Sequence, residues 1–136
     1  MDARLAVLAD YANISQEGKL NIMGVFSDIN PPVLPFPLPT MCLVAAFQAS
    51  PAEVGQQKTL RIALLEDEGK EVFALEQSFD IPPPKHAGSL TELQMVFCLN
   101  GIVFERSGNY AFHFLVGGET KTTVSLRVNE PQSGES

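Results

Sequence analysis

Apolar and polar side chains alternate at every second position in four separate stretches of this chain. The stretches are Lys19–Phe26, Thr59–Leu64, Tyr110–Val116 and Thr123–Val128. A period of two puts one set of side chains in a core and the other in water, as in the strands of antiparallel sheets. The sequence therefore predicts an all-β protein.

Short polar segments that contain glycine separate these stretches and predict hairpin turns. They are Gln16–Lys19, Glu66–Lys70 and Gly117–Glu119, and glycine supplies the positive φ that such turns require. Turn signals at these intervals predict an antiparallel β-sandwich of seven to nine strands, Ig-like in general architecture. We assign residues 1–128 to this single domain and expect the polar tail 129–136 to be disordered.

Two other segments are less regular. Ser50–Gly55 predicts one turn of helix, because a serine cap, a proline and a glutamate stand at the positions of a capping box. Ser89–Phe104 contains Met95–Leu99, a run too apolar to show any period. A central strand buried on both faces is the favoured interpretation, and a short helix at Leu90–Gln94 remains open.

Half of the ten prolines lie in Asn30–Met41. Proline removes backbone donors, so this segment is not expected to be a central strand. We interpret Asn30–Pro39 as an extended crossover between the sheets rather than a free docking peptide, because no basic residue lies nearby to orient an SH3-type groove. An extended chain cannot turn all of its apolar side chains toward one sheet, and Phe36 or Leu34 is expected to stay exposed. Leu34, Phe36 and Leu38 are therefore the candidate protein-interaction residues.

The net charge of −7 limits the classes of partner. Nucleic acids and anionic membranes both attract clustered basic residues, and the nine basic residues of this chain are scattered. We therefore expect neither partner. The start of the chain lacks the basic and apolar regions of a signal peptide, and no segment is long enough to cross a bilayer. We expect a cytoplasmic protein.

The two cysteines, Cys42 and Cys98, each lie in an apolar run. Their separation resembles that of the inter-sheet bridge of immunoglobulin domains, but the chain has no tryptophan to pack on such a bridge. In a reducing compartment two buried free thiols are the favoured interpretation.

No set of residues predicts a metal, a cofactor or a catalytic site. The acidic turn Glu66–Glu71 lacks the spacing of a calcium loop. A dyad of Cys98 and His113 is disfavoured, because an apolar environment suppresses the thiolate. The carboxylates of Asp10 and Asp28 remain candidates for acid–base chemistry, although hydrogen-bonded structural carboxylates are commoner.

Four segments together resemble a known family: "ADYANISQEGKLNIMGVF", the proline segment leading into "MCLVAAF", "ASPAEVGQQKTLRIALLEDEGKE" and "FERSGNYAFHFLVGGE". The chain from Ala9 to Val128 resembles a family of small bacterial proteins known only as a domain of unknown function. The resemblance implies a fold and carries no activity or catalytic residue to this chain.

We therefore expect a non-enzymatic protein-interaction or structural module that binds a protein partner or associates with itself. Two alternatives stay open. One is a small enzyme that uses carboxylates near Asp10 and Asp28, and the other is a sandwich that binds a ligand in an apolar pocket between its sheets.

Overall fold

The computed structural model describes residues 1–132 and shows two β-sheets packed face to face, which confirms the predicted all-β sandwich. No helix in this range has the length and apolarity needed to span a membrane. The strands are β1 (Asp2–Ile14), β2 (Leu20–Phe26), β3 (Asp28–Ile29), β4 (Phe36–Ala49), β5 (Gln57–Glu66), β6 (Glu71–Asp80), β7 (Thr91–Phe104), β8 (Gly108–Val116) and β9 (Glu119–Val128).

The first sheet has four strands in the order β2-β1-β4-β7, and the second has five in the order β3-β9-β8-β5-β6. Neighbouring strands run antiparallel, except that the two-residue β3 pairs with β9 in parallel. Because β3 follows β2 directly, the chain changes sheets at Ser27 and returns to the first sheet through the proline segment.

The main core lies between the two sheets and follows the alternation predicted from the sequence. In β8, every second side chain from Tyr110 to Val116 is buried. Aromatic rings join the layers: the centroids of Phe47 and Phe114 are 6.1 Å apart, and those of Phe104 and Tyr110 are 5.1 Å apart, both edge to face. Such pairs add to the free energy gained by burial alone.

The predicted turns are present. In the turn Glu66–Lys70, the Glu66 N–H donates to the Lys70 carbonyl at 2.9 Å, and Gly69 has a φ of 89°. The predicted helical turn is a 3₁₀ turn at Pro51–Glu53. Its Glu53 carboxylate accepts the Ser50 backbone N–H at 2.9 Å, as a capping box requires.

Most of the apolar segment Ser89–Phe104 forms the long strand β7, which begins at Thr91, and the alternative helix at Leu90–Gln94 is absent. The prediction of a central strand was wrong, because β7 is an edge strand of the first sheet. Both of its faces are apolar for another reason. Leu93, Met95 and Phe97 face the main core, whereas Val96 contacts a second apolar cluster on the outer side of the sheet.

The proline segment is shorter than predicted. The crossover ends at Pro35, and Pro37 and Pro39 lie within β4, a strand that has a neighbour on each side. The prolines are tolerated because β1 pairs with β4 only as far as Cys42. From Phe36 to Met41, β4 pairs with β7 alone, so one of its edges needs no donors.

The polar tail begins with an ordered contact. The Asn129 N–H donates to the Ile29 carbonyl at 3.0 Å, which continues the pairing of β3 with β9 by one residue. The disorder expected for 129–136 stays a prediction, and residues 133–136 lie outside the described part of the chain.

Candidate functional site

Three large apolar side chains are exposed together on the β1–β2 hairpin. Tyr11 is 52% exposed, Met23 69% and Val25 61%. Tyr11 lies directly opposite Met23 across the two strands, and Val25 is two residues further along β2, on the other side of Gly24. We call these three residues the hairpin patch.

The opposite face of the hairpin is partly buried. Beyond Ala9, β1 no longer pairs with β4, and the remainder of the hairpin packs on the outer side of the first sheet. Ala12, Leu20 and Ile22 contact β4 and β7 there, in a second apolar cluster with Val7, Cys42, Val44 and Val96. The hairpin thus covers one apolar surface and presents another to solvent.

Gly24 sits where the hairpin changes direction. Its φ is 74°, a left-handed conformation that costs other residues about 1–2 kcal/mol. A β-carbon at this position would lie 2.5 Å from Asp10 Oδ2. The left-handed backbone therefore favours glycine, and any other residue would also force the exposed Asp10 side chain to shift.

The hairpin patch is an uncharged part of an acidic protein. No residue of β2 is charged and none is proline, although β2 is an edge strand. Edge strands that avoid pairing usually carry charges or prolines. Amide groups border the patch: Asn21 Nδ2 donates to Asn13 Oδ1 at 2.9 Å, and Asn13 Nδ2 lies 3.4 Å from the Tyr11 hydroxyl.

A shallow groove of about 330 Å³ adjoins the patch on the open side of the sandwich. Val25, Phe26 and Ser27 form one wall, and Thr123–Ser125 of β9 form another. The groove contains no charged side chain, so the uncharged surface extends from the hairpin toward the second sheet.

The interaction residues predicted from the sequence lie elsewhere and are half-buried. Phe36 and Leu38 are opposite Phe104 and Ile102 in the β4–β7 register, and these partners point into the core. Leu34 and Leu38 pack against the main core. Phe36 and Leu34 are therefore only partly accessible, and their role in protein interaction stays a prediction.

The conformation of the segment differs from the one expected. The crossover was expected to run through Pro39, but from Phe36 onward the segment is a β-strand, whose period of two directs Phe36 and Leu38 to the same face. The exposed apolar residue of the crossover is Val33, which is 56% exposed.

Asp10 and Asp28, the candidate acid–base carboxylates, are both exposed and belong to different sheets. Asp28 Oδ2 accepts a hydrogen bond from Asn129 Nδ2 at 3.0 Å, a contact that anchors the end of β9. Neither aspartate lines a concavity described here. The geometry gives the pair no shared cleft.

The cysteines are cross-strand neighbours in the first sheet, so a bridge between the two sheets is excluded. Their Sγ atoms are 3.1 Å apart, and both thiols are free. Cys42 is buried as predicted, but Cys98 is exposed, and for Cys98 the prediction was wrong. Burial raises the pKa of the Cys42 thiol, and contact with Cys98 raises it further, whereas the Ala12 backbone N–H lowers it.

A dyad of Cys98 and His113 has no geometric basis. Cys98 is on the outer face of the first sheet. His113 alternates with buried Phe112 and Phe114 in β8, so it points away from the core on the outer face of the second sheet. Within residues 1–132, no three or more His, Cys, Asp or Glu side chains are grouped to hold a metal ion.

Two further concavities lie on the surface. An open groove of about 410 Å³ separates the edge strands β6 and β7 and is lined by Phe73, Ile102 and the carboxylates of Glu66 and Glu71. Another, of about 730 Å³, lies beneath the loop that contains Pro82–Pro84. Both are open to solvent, unlike the enclosed apolar pocket considered for a ligand-binding sandwich.

The hairpin patch was not predicted, although the sequence of β2 contains a signal for it. The alternation in Lys19–Phe26 assigns Leu20, Ile22 and Phe26 to a buried face. The residues between them should then be polar, but they include Met23 and Val25. When an edge strand is apolar on both faces, one face packs on the protein and the other is a candidate surface for binding a partner.

Comparison with known proteins identifies a family but assigns no activity. No curated protein matches the chain. Residues 4–129 match a protein family described as a family of unknown function, DUF6941. The match spans all nine strands almost completely, from the third residue of β1 to the residue after β9. The chain therefore belongs to DUF6941, a family of unknown function.

Proposed function

We propose that this chain is a non-enzymatic protein-interaction module of the cytoplasm that docks through the hairpin patch, and that its partner is a second copy of the same chain. The observation that carries the proposal is the exposure of Tyr11, Met23 and Val25 close together on an edge hairpin. Scattered exposed apolar residues are common, whereas a cluster of this kind is typical of binding surfaces.

The residue types suit a protein interface. Tyrosine and methionine are enriched in interface cores, and charged residues are depleted there. Tyr11 and Met23 stand opposite each other on a hairpin whose other face is anchored on β4 and β7. Little conformational entropy is therefore lost when this face is covered.

Charge favours a second copy as the partner. Two molecules that each carry −7 repel one another over most of their surfaces. The strand β2 and its adjoining groove contain no charged residue, and the exposed carboxylate of Asp10 beside Gly24 is the charge that two copies must accommodate there. The free edge of β2 also allows antiparallel pairing about a two-fold axis, in which the same surface is used by both copies.

The proposed contact is small. A stable interface buries about 800 Å² per partner, more than three side chains and one short strand supply. The account therefore predicts a weak dimer that forms as protein concentration rises. Sedimentation equilibrium over a range of concentrations measures this directly.

The decisive variant is Met23→Glu, with Val33→Glu as the matched control. Both parent side chains are more than half exposed, so both variants should fold. Glutamate at Met23 places like charges across the two-fold axis and should weaken the dimer about tenfold or more, whereas Val33→Glu should leave it unchanged.

A wild-type chain that remains monomeric at all concentrations would contradict the choice of partner. Equal weakening by the two variants would show that net charge, rather than the hairpin patch, controls association.

A further inference from the structure

We propose that Cys42 and Cys98 form a reversible intramolecular disulfide when the protein meets a low-molecular-weight disulfide such as oxidised glutathione. This redox site is separate from the hairpin patch, and its chemistry does not require the protein to dimerise.

The backbone places the two cysteines correctly for a bridge. Cys42 in β4 is directly opposite Cys98 in β7, in an antiparallel register that continues without interruption to Ala49 and Thr91. Opposed residues in such a ladder have α-carbons about 4.5 or 5.5 Å apart. Both distances lie within the range of about 4.4–6.8 Å found in disulfides, so the strands need not move.

The side chains already face each other. Cys42 Sγ and Cys98 Sγ are 3.1 Å apart, close enough for one thiol to donate a hydrogen bond to the other. Formation of the bond requires an approach of about 1 Å, to the usual length near 2.05 Å.

Differences in exposure assign separate roles to the two thiols. Cys42 is 1% exposed and is covered by the hairpin, in contact with Ala12 and Val44. Cys98 is open to solvent. An oxidant therefore reaches Cys98 first. Cys42 reacts second, with the Cys98 sulfur of the mixed disulfide.

The exchange balances in two steps. The Cys98 thiolate attacks one sulfur of oxidised glutathione, which gives a mixed disulfide and releases one glutathione thiolate. The Cys42 thiolate then attacks Cys98 Sγ and displaces the second glutathione. Two protein thiols lose their protons and two electrons, and one molecule of oxidised glutathione is reduced to two of the thiol. Excess reduced glutathione reverses both steps.

The test uses the full chain, equilibrated in glutathione buffers, quenched in acid, alkylated and weighed by mass spectrometry. The wild type should lose two hydrogens, label at neither cysteine and run as a monomer on a non-reducing gel. The variant Cys42→Ala should accumulate a glutathione adduct at Cys98, because no second thiol removes it. The variant Cys98→Ala should remain unmodified, because Cys42 is covered.

Circular dichroism and urea denaturation establish that both variants are folded before they are compared. If Cys42→Ala is unfolded, the wild-type and Cys98→Ala results decide. A wild type that keeps two alkylatable thiols, that stops at the glutathione adduct, or that forms disulfides only between molecules would overturn the proposal. An adduct on folded Cys98→Ala as extensive as that on Cys42→Ala would also overturn it.

Discussion

Tyr110 provides a quantitative test of how the two sheets are held together. It is 4% exposed at the start of β8, and its ring packs edge to face on Phe104 of the other sheet. Its hydroxyl donates to the Arg106 carbonyl at 2.7 Å, four residues back along the chain. The hydroxyl ties the β7–β8 turn to the core, as the tyrosine corner does in Ig-like sandwiches.

The substitution Tyr110→Phe removes this hydrogen bond and keeps the ring. A buried hydrogen bond contributes about 0.5–1.5 kcal/mol, and the Arg106 carbonyl lies in an exposed turn where water can replace the hydroxyl. We expect a loss of about 1 kcal/mol in the free energy of unfolding. For a domain of this length the loss corresponds to a fall in Tm of about 3–5 °C.

Urea denaturation of Tyr110→Phe measures this loss, with Tyr11→Phe as the control. Tyr11 is the other tyrosine of the chain and is 52% exposed, so its variant should differ from wild type by less than about 0.5 kcal/mol. Equal losses for the two variants, or no loss for Tyr110→Phe, would refute the role of the hydroxyl.

Alkaline pH gives a second measurement on Tyr110. Burial raises the pKa of Tyr110, and the Glu66 carboxylate raises it further. The folded state therefore disfavours the tyrosinate, and this contribution to stability is present below the unfolded pKa of about 10 and is lost as pH rises above it. The stability of the wild type should fall more steeply above pH 10 than that of Tyr110→Phe.

Three further predictions concern acid stability, the hairpin and the crossover. The Ser50 backbone N–H, followed by the amino terminus, lowers the pKa of Glu53 to about 2, so stability should fall as pH drops from about 4.5 to 2. Urea titrations should show that Glu53→Gln loses about 1–2 kcal/mol at pH 7 and much of this acid dependence; an unchanged acid profile would contradict the capping box. Gly24→Ala should cost about 1–2 kcal/mol, because alanine resists the left-handed φ and meets Asp10, and a neutral effect on the urea midpoint would contradict this. Phe36→Ser should destabilise the fold by about 1–3 kcal/mol without acting specifically on association; weaker dimerisation at unchanged stability would instead support Phe36 as an interface residue.

The fold was predictable because a period of two and glycine-containing turns are local signals. The strands at Tyr110–Val116 and Thr123–Val128 lie where alternation places them, and the turns at Gln16–Lys19 and Glu66–Lys70 form where glycine permits a positive φ. What these patterns lack is information about neighbours in space. Strand order is non-local, so the edge position of β7 could not be derived from its composition.

The candidate site was less predictable for the same reason. Whether Cys98 is buried depends on how far the β1–β2 hairpin extends over the outer face of the first sheet. The hairpin covers Val96 and Cys42 but leaves Cys98 exposed. The prolines led to a crossover that was predicted too long. Pro37 is acceptable in β4 because one edge of the strand is unpaired there, and this depends on where β1 separates from β4. Met23 was the exception, since an apolar residue on the polar face of an alternating strand was visible in the sequence.

Amide hydrogen exchange as a function of protein concentration tests the central claim most directly. If two copies dock through the hairpin patch, the amides of β2 from Leu20 to Phe26 should become more protected as concentration rises, because a partner covers the free edge of this strand. The edge strand β6 should show no such change and serves as the internal reference. Protection of β2 that is independent of concentration, or that rises at β6 instead, would contradict the account.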